Sequence, residues 1–188
     1  MKKIPFILVT LLFCSVFGQK PLPSRKPGTP KAPKEKAQVV VSTKKTGTND
    51  FLALVRVVKD WGFIDESGGY TITPQFENAK PFSDGFARVM SIGDWGYIDK
   101  KGTFVINPQF ERAEDFSEGL ARVVKFKKWG YIEKSGIFVI NPQFDNAFDF
   151  IDGLARVRKG VSWGLIDQKG NYVVNPQFAD LGTFSNGL

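Results

Sequence analysis

The sequence predicts an all-β fold in which four tandem units of 34 residues, each a three-stranded antiparallel meander, form a curved repeat array. Two sequence repeats indicate this, and both recur without insertion or deletion. A Trp-Gly pair occurs at Trp61-Gly62, Trp95-Gly96, Trp129-Gly130 and Trp163-Gly164, and Pro-Gln-Phe begins at Pro74, Pro108, Pro142 and Pro176. Between them the residues alternate apolar and polar, which is typical of strands. The array is either an open solenoid or propeller-like.

The second unit shows the elements in order. The predicted strands are Phe86–Met90, Trp95–Ile98 and Thr103–Ile106. The segment Asp99–Gly102 between the last two fits a type I turn closed by a left-handed glycine. Pro108 is expected to end the third strand because proline cannot donate to the ladder. A longer polar loop, Gln109–Gly119, then leads to the next unit.

Repeated apolar positions predict the core. An isoleucine and an alanine keep their register in all four units, at Ile64, Ile98, Ile132, Ile166 and at Ala53, Ala87, Ala121, Ala155. One unit alone is too small to be stable, so these faces are expected to pack against neighbouring units. The tryptophans are expected to fill the gaps between units, with the following glycine permitting close backbone approach. The alternative is an aromatic stripe that stacks sugars or peptides.

The first 18 residues have the layout of a secretory signal peptide. A basic start at Lys2 and Lys3 precedes an apolar run to Phe17, and Gly18 is the predicted cleavage position. Lipidation at Cys14 and retention of the segment are the weaker alternatives. The predicted location is therefore secreted, periplasmic or at the cell envelope.

Residues 19–50 are predicted to be a disordered linker rich in proline and lysine, with Val39–Val41 as its one short apolar run. The linker carries eight basic and two acidic residues, whereas residues 51–188 carry 16 basic and 17 acidic ones. The formal net charge of +7 therefore belongs to the N-terminal segments. Nucleic acid is an unlikely partner of the repeat domain, and the linker is suited to anionic envelope surfaces.

The composition removes several kinds of chemistry. The chain has no histidine and one cysteine, so the commonest general base and zinc ligand are missing. The repeated acidic residues at Asp65, Asp99, Glu133 and Asp167 each begin a turn and are expected to cap turn amides. Arg88, Arg122 and Arg156 are expected to form exposed pairs with Asp84, Glu118 and Asp152. We predict no catalytic residues, no cofactor and no metal site.

Repeat proteins keep their frame and vary their recognition surface, so the variable positions are the better guide to binding. The first hairpin turn of each unit and the long loops, such as Glu77–Pro81, vary most. The turn formed by Lys125, Phe126, Lys127 and Lys128 combines an aromatic ring with three cations. It is the candidate contact for a partner.

The segments Trp129–Gly136 and Phe116–Val123 resemble the consensus of the WG-repeat family of β-rich repeats, and the resemblance covers residues 51–188. The first unit departs most, with Gly68-Gly69 and Thr73-Pro74. The resemblance implies an interaction or surface module and brings no common catalytic activity with it.

The expected function is that of an exported, non-enzymatic module that binds a protein or glycan partner. Two alternatives stay open: a glycan-active hydrolase that uses the repeated carboxylates, and a truncated piece of a longer repeat array. A fifth unit begins at the C-terminus, where Ser185–Leu188 would serve as a cap or pair with Phe51–Val58 to close a ring.

Overall fold

The computed structural model describes residues 38–40 and 52–182, and this part of the chain forms sixteen strands and no helix. The predictions for residues 1–18, for most of 19–50 and for Ser185–Leu188 lie outside the described residues. The strands form four antiparallel sheets in chain order. Sheet 1 consists of β1 Gln38–Val40, β2 Ala53–Val57, β3 Asp60–Ile64 and β4 Tyr70–Phe76.

The other three sheets repeat this order. Sheet 2 consists of β5 Asn78–Ala79, β6 Ala87–Ser91, β7 Asp94–Ile98 and β8 Phe104–Phe110. Sheet 3 consists of β9 Arg112–Ser117, β10 Leu120–Lys125, β11 Lys128–Glu133 and β12 Phe138–Phe144. Sheet 4 consists of β13 Asn146–Ala147, β14 Leu154–Lys159, β15 Ser162–Asp167 and β16 Tyr172–Phe178. The predicted all-β array of four tandem meanders is thus confirmed.

In sheets 2 to 4 the predicted three-stranded meander gains a fourth strand from the segment expected to be a polar loop. In the third sheet that segment forms β9, which pairs with β10. A tight two-residue turn reverses the chain between them, with φ of +51° at Glu118 and +83° at Gly119. Two consecutive positive φ angles define a type I′ hairpin turn, for which Asp-Gly is a favoured sequence. The same turn occurs at Asp84-Gly85 and Asp152-Gly153.

The third strand of each meander runs through its proline, contrary to the prediction. In sheet 2, β8 continues past Pro108 to Phe110, which pairs with Trp95. The strand lies at the edge of the sheet, where the missing proline N–H removes no ladder bond. The pairing shifts register between Trp95 and Tyr97, around Gly96. A Cβ on Gly96 would lie 2.6 Å from the Ile106 carbonyl oxygen, so only glycine fits there. The close backbone approach that the glycine permits therefore occurs between two strands of the same unit and not between neighbouring units.

Strand β1 lies inside the predicted linker. Its residues Gln38–Val40 pair antiparallel with β2, and the β-branched valines of this run favour a strand. Because β2 also pairs with β3, both of its edges are occupied. The C-terminal residues that were expected to cap the array or to pair with Phe51–Val58 lie outside the described residues.

The hydrophobic core lies between consecutive sheets. The cluster between sheets 2 and 3 contains Tyr97, Ile106 and Phe110 from sheet 2. From sheet 3 it takes Ala113, Phe116, Ala121, Val123 and Ile132. Equivalent clusters join sheets 1 and 2 and sheets 3 and 4. The predicted burial of repeated apolar faces against neighbouring units is confirmed, and each sheet depends on its neighbours for its core.

Candidate binding edge formed by the hairpin tips

The turn between the second and third strands of every sheet carries an apolar residue at an exposed tip. We call the four turns at residues 58–59, 92–93, 126–127 and 160–161 the tip edge. The relative exposures are 64% for Val58, 92% for Ile92, 79% for Phe126 and 88% for Val161. The last three are the most exposed large apolar side chains in the described part of the chain. The tip edge therefore presents apolar side chains directly to solvent.

Three of these apolar residues adopt a backbone conformation that they disfavour. The φ angle is +58° at Val58, +54° at Ile92 and +55° at Phe126. The left-handed region costs a residue with a Cβ about 1–2 kcal/mol, and it is an outlier for β-branched side chains. At the Asp84-Gly85 and Asp152-Gly153 turns, the same chain uses residues that suit positive φ. The tips therefore keep apolar side chains at an energetic cost.

The tips of sheets 2 to 4 are held by an acidic residue that links consecutive sheets. A single residue connects β4 to β5, β8 to β9 and β12 to β13, and these connectors are Glu77, Glu111 and Asp145. The Glu77 carboxylate accepts hydrogen bonds from Ile92 N and Gly93 N at 2.9 and 3.1 Å. Glu111 accepts one from Lys127 N at 3.1 Å, and Asp145 one from Gly160 N at 2.7 Å.

These connectors place the tips along one side of the array. In an antiparallel meander the last strand ends at the same side of the sheet as the tip between strands two and three. One residue later the chain enters the next sheet, and that residue bonds to the next tip. The sequence reasoning missed the connectors because it grouped them with variable loops, although an acidic residue follows the Phe76, Phe110 and Phe144 positions each time.

In the predicted partner contact at Lys125–Lys128, two side chains bind other residues of the chain and two are exposed. The Lys128 ammonium is ion-paired with Asp145, and this hydrogen bond is the main cause that lowers the pKa of Asp145. The Lys125 ammonium donates to Gln109 Oε1 at 3.2 Å and lies 5.8 Å from the Phe126 ring centre. Phe126 and Lys127 are exposed. These two side chains are therefore the exposed part of the candidate contact.

The tryptophans are half-buried. Trp61, Trp95 and Trp129 pack against the three clusters between sheets. Trp163, in the last sheet, instead lies 5.6 Å from Phe148 between ring centres. Arginine guanidinium groups cover several of the rings, with the Arg122 group 5.0 Å from the centre of Trp129. The rings are thus engaged within the array.

The repeated acidic residues mostly cap turns, as predicted. The Asp99 Oδ1 atom accepts hydrogen bonds from Lys101 N and Thr103 N, both at 2.9 Å. Asp65 and Asp167 accept equivalent bonds. Hydrogen bonds from Ser67 and from Asn171 are the first causes that lower the pKa of Asp65 and Asp167, respectively.

Glu133 is different from the other three acidic residues. Its longer side chain accepts a bond from the Ser135 hydroxyl at 2.5 Å in place of bonds from the turn amides. The Ser135 hydroxyl oxygen in turn accepts from Ile137 N at 3.4 Å.

The predicted arginine pairs are wrong in their partners and their exposure. Arg88 binds Glu114 at 2.6 Å and Asp115 at 2.7 Å, across the junction with sheet 3, and its side chain is only 12% exposed. Arg122 donates to Asp149 and to the Ala147 carbonyl oxygen, both at 2.7 Å, across the next junction. Asp84 pairs instead with Lys134 at 2.7 Å.

A buried tyrosine accompanies each of these two arginines. Tyr97 Oη donates to the Glu114 carbonyl oxygen at 2.6 Å and Tyr131 Oη to that of Phe148 at 2.7 Å. Burial is the main cause that raises the pKa of both phenols. In sheet 1 the equivalent positions hold the apolar residues Leu54 and Phe63, both buried.

Residues 38–40 and 52–182 hold no group of three or more Cys, His, Asp or Glu placed to bind a metal ion. The same residues contain no helix with the length and hydropathy needed to cross a membrane.

Comparison with solved structures finds plant proteins of low identity. One is a plant lectin with two metal binding sites from Cicer arietinum, at 12% identity and a TM-score of 0.30, covering 75% of this chain and 89% of that one. Another is the hemopexin fold protein CP4 from cow pea, at 14% identity and a TM-score of 0.30, covering 72% and 91%. At these TM-scores the likeness carries no conclusion about a ligand. No curated protein matches.

The sequence profile of the WG containing repeat matches four consecutive segments, at residues 61–92, 95–129, 129–160 and 163–188. These segments contain the four Trp-Gly pairs and span most of the four sheets. The chain therefore belongs to the family of proteins built from WG-containing repeats.

Proposed function

We propose that the chain is an exported, non-enzymatic binding module that recognises a partner through the tip edge. The observation that carries the proposal is the backbone strain at three tips, where Val58, Ile92 and Phe126 are exposed apolar residues at positive φ. Strain of this kind is concentrated at functional sites, where something other than stability retains it. Asn or Gly would form the same turns more stably.

The chemistry of the tips favours a protein partner. Three of the four exposed tip side chains are aliphatic, namely Val58, Ile92 and Val161, and Phe126 is the one aromatic ring. Exposed apolar groups set in a polar rim are typical of protein interaction sites. Lys127 beside Phe126 adds a cation, so the patch suits a partner surface that is apolar with nearby acidic groups.

Site-specific photocrosslinking tests the proposal. A photoreactive amino acid is placed at Ile92 or Phe126 and, as a control, at Lys101, an exposed residue of the Asp99–Gly102 turn at the other end of the same sheet as Ile92. We expect one discrete adduct with an envelope protein from both tip positions and none from Lys101. Equal labelling from all three positions would contradict a role for the tip edge. A glycan array with the wild type and Phe126→Ala measures whether sugars bind instead.

The non-enzymatic part of the proposal has its own test. The purified chain is incubated with envelope glycans beside Asp99→Asn and Glu133→Gln, and the release of reducing ends is measured. We expect no hydrolysis from any of the three. Hydrolysis by the wild type that is lost in a folded variant would make the chain a glycan-active enzyme.

A further inference from the structure

Every internal junction of the array is built from the same two complementary halves. The earlier sheet contributes an isoleucine and a phenylalanine from its last strand. The later sheet contributes the glycine that closes its Asp-x-x-Gly or Glu-x-x-Gly turn and an aromatic residue soon after it. In the junction of sheets 1 and 2 these residues are Ile72 and Phe76, then Gly102 and Phe104.

The contacts between the halves are nearly identical in the three junctions. A Cβ built on Gly102 would lie 3.2 Å from Ile72 Cγ1, and one on Gly136 would lie 3.1 Å from Ile106 Cγ2. One on Gly170 would lie 3.2 Å from Ile140 Cγ1. The ring pairs Phe76–Phe104, Phe110–Phe138 and Phe144–Tyr172 have centres 6.1, 6.0 and 6.5 Å apart, all in edge-to-face geometry.

One half of this contact is uncovered at each end of the described array. In sheet 1 the glycine is Gly68, which has no heavy atom within 4 Å of its would-be Cβ, and the aromatic residue is Tyr70, which is 47% exposed. In sheet 4 the phenylalanine is Phe178, which is 43% exposed, whereas Phe76, Phe110 and Phe144 are 3%, 0% and 1% exposed. Val174 takes the place of the isoleucine and is half-buried.

We propose that a second copy of this chain covers these surfaces, so that Gly68 and Tyr70 of one copy dock on Val174 and Phe178 of another. The two surfaces are complementary because they are the two halves of a contact that the chain forms three times internally. The contact is head-to-tail, so successive copies form short chains or a closed ring. Ala53 and Val55 on β2 are already buried, which confines the new contact to the outer strands. The association is therefore expected to be weak and concentration-dependent.

Sedimentation velocity of the full chain over roughly 1–500 µM measures this association, a range that brackets weak protein–protein affinities. We expect the mean mass to rise with concentration. Phe178→Glu and Tyr70→Glu should each weaken the association at least about tenfold, since each buries a charge at the contact. Val139→Glu is the control, because Val139 is 42% exposed on β12 and lies on neither end of the array.

A disulfide test separates a second copy from closure within one chain. In a Cys14→Ser background, one variant carries Tyr70→Cys and another Phe178→Cys. Mixing them under mild oxidation should give a covalent heterodimer, whose yield falls when Val174→Glu is added. Circular dichroism and tryptophan fluorescence confirm that every variant is folded.

Two results would overturn the proposal. One is a single mass at all concentrations with no heterodimer. The other is a double variant, Tyr70→Cys with Phe178→Cys, that closes only within one chain at high protein concentration, which would show that sheet 1 covers sheet 4 of the same copy.

Discussion

Replacing Gly136 by alanine measures how strongly one sheet depends on the next. Gly136 has φ of +86°, and its would-be Cβ lies 3.1, 3.2 and 3.5 Å from three side-chain carbons of Ile106 in the preceding sheet. The change therefore adds two penalties: the left-handed backbone costs about 1–2 kcal/mol, and crowding of a packed core costs about 1–3 kcal/mol. Together they predict a loss of about 2–5 kcal/mol.

Gly119→Ala is the matched control, because Gly119 belongs to the same sheet and has φ of +83° but no atom within 4 Å of its would-be Cβ. It should show the backbone penalty alone, about 1–2 kcal/mol. Equilibrium urea unfolding, followed by tryptophan fluorescence, gives the free energy of unfolding of both variants. The difference between them, about 1–3 kcal/mol, isolates the contact between sheets.

A double-mutant cycle with Ile106→Ala completes the experiment. Removing the isoleucine carbons that the new methyl group would crowd should make the double variant less destabilised than the sum of the two single variants. Equal losses in Gly136→Ala and Gly119→Ala, or strict additivity in the cycle, would refute the argument that this turn is packed on Ile106.

Three further variants test other parts of the structure. Ile92→Asn should raise the free energy of unfolding by about 1 kcal/mol in the urea assay, because Asn-Gly is a favoured sequence for the turn in which Ile92 is strained. The same variant should reduce crosslinking at the tip edge. A loss of stability would contradict the strain argument. Arg122→Leu should lower the free energy of unfolding by about 1–3 kcal/mol, because it leaves Asp149 and the Ala147 carbonyl oxygen without their donor. An unchanged free energy of unfolding would mean that these hydrogen bonds do not stabilise the fold. Hydrogen bonds from Asn171 lower the pKa of Asp167 below its ordinary value of 3.8, so this carboxylate stabilises the fold above that value and the stabilisation is lost as the pH falls through the lowered pKa. Urea midpoints between pH 7 and 2 should therefore fall less steeply in Asp167→Asn than in the wild type, and identical slopes would exclude this contribution.

Much of the fold could be predicted because the signals were local and repeated four times. Strand alternation, the Asp-x-x-Gly turns and the unchanging 34-residue step all depend on neighbours in sequence. The strand β9 was missed because half of its residues, Arg112–Ser117, are charged and its sequence does not alternate between apolar and polar. The Glu118-Gly119 turn that follows it was the available signal, since the equivalent Asp84-Gly85 and Asp152-Gly153 turns have a favoured hairpin sequence.

The sites were harder to predict because their contacts cross between sheets. Arg88 meets Asp115, 27 residues away, only once two sheets have packed, so sequence proximity to Asp84 pointed to the wrong partner. The Lys125–Lys128 turn was correctly singled out as variable, but composition could not show that Asp145 engages Lys128. Nor could it show that the tip residues have positive φ, since valine, isoleucine and phenylalanine disfavour that conformation.

The one-residue connectors have a consequence for how such a chain changes over evolutionary time. Glu77, Glu111 and Asp145 join one sheet to the next without a longer linker. The gene segment for one unit therefore encodes both a sheet and its whole connection to the next sheet. Unequal recombination that duplicates or deletes 34 codons would therefore insert or remove a whole sheet together with both of its packing faces. Array length can change in whole steps while every remaining junction stays intact, and each added step brings one more tip to the edge.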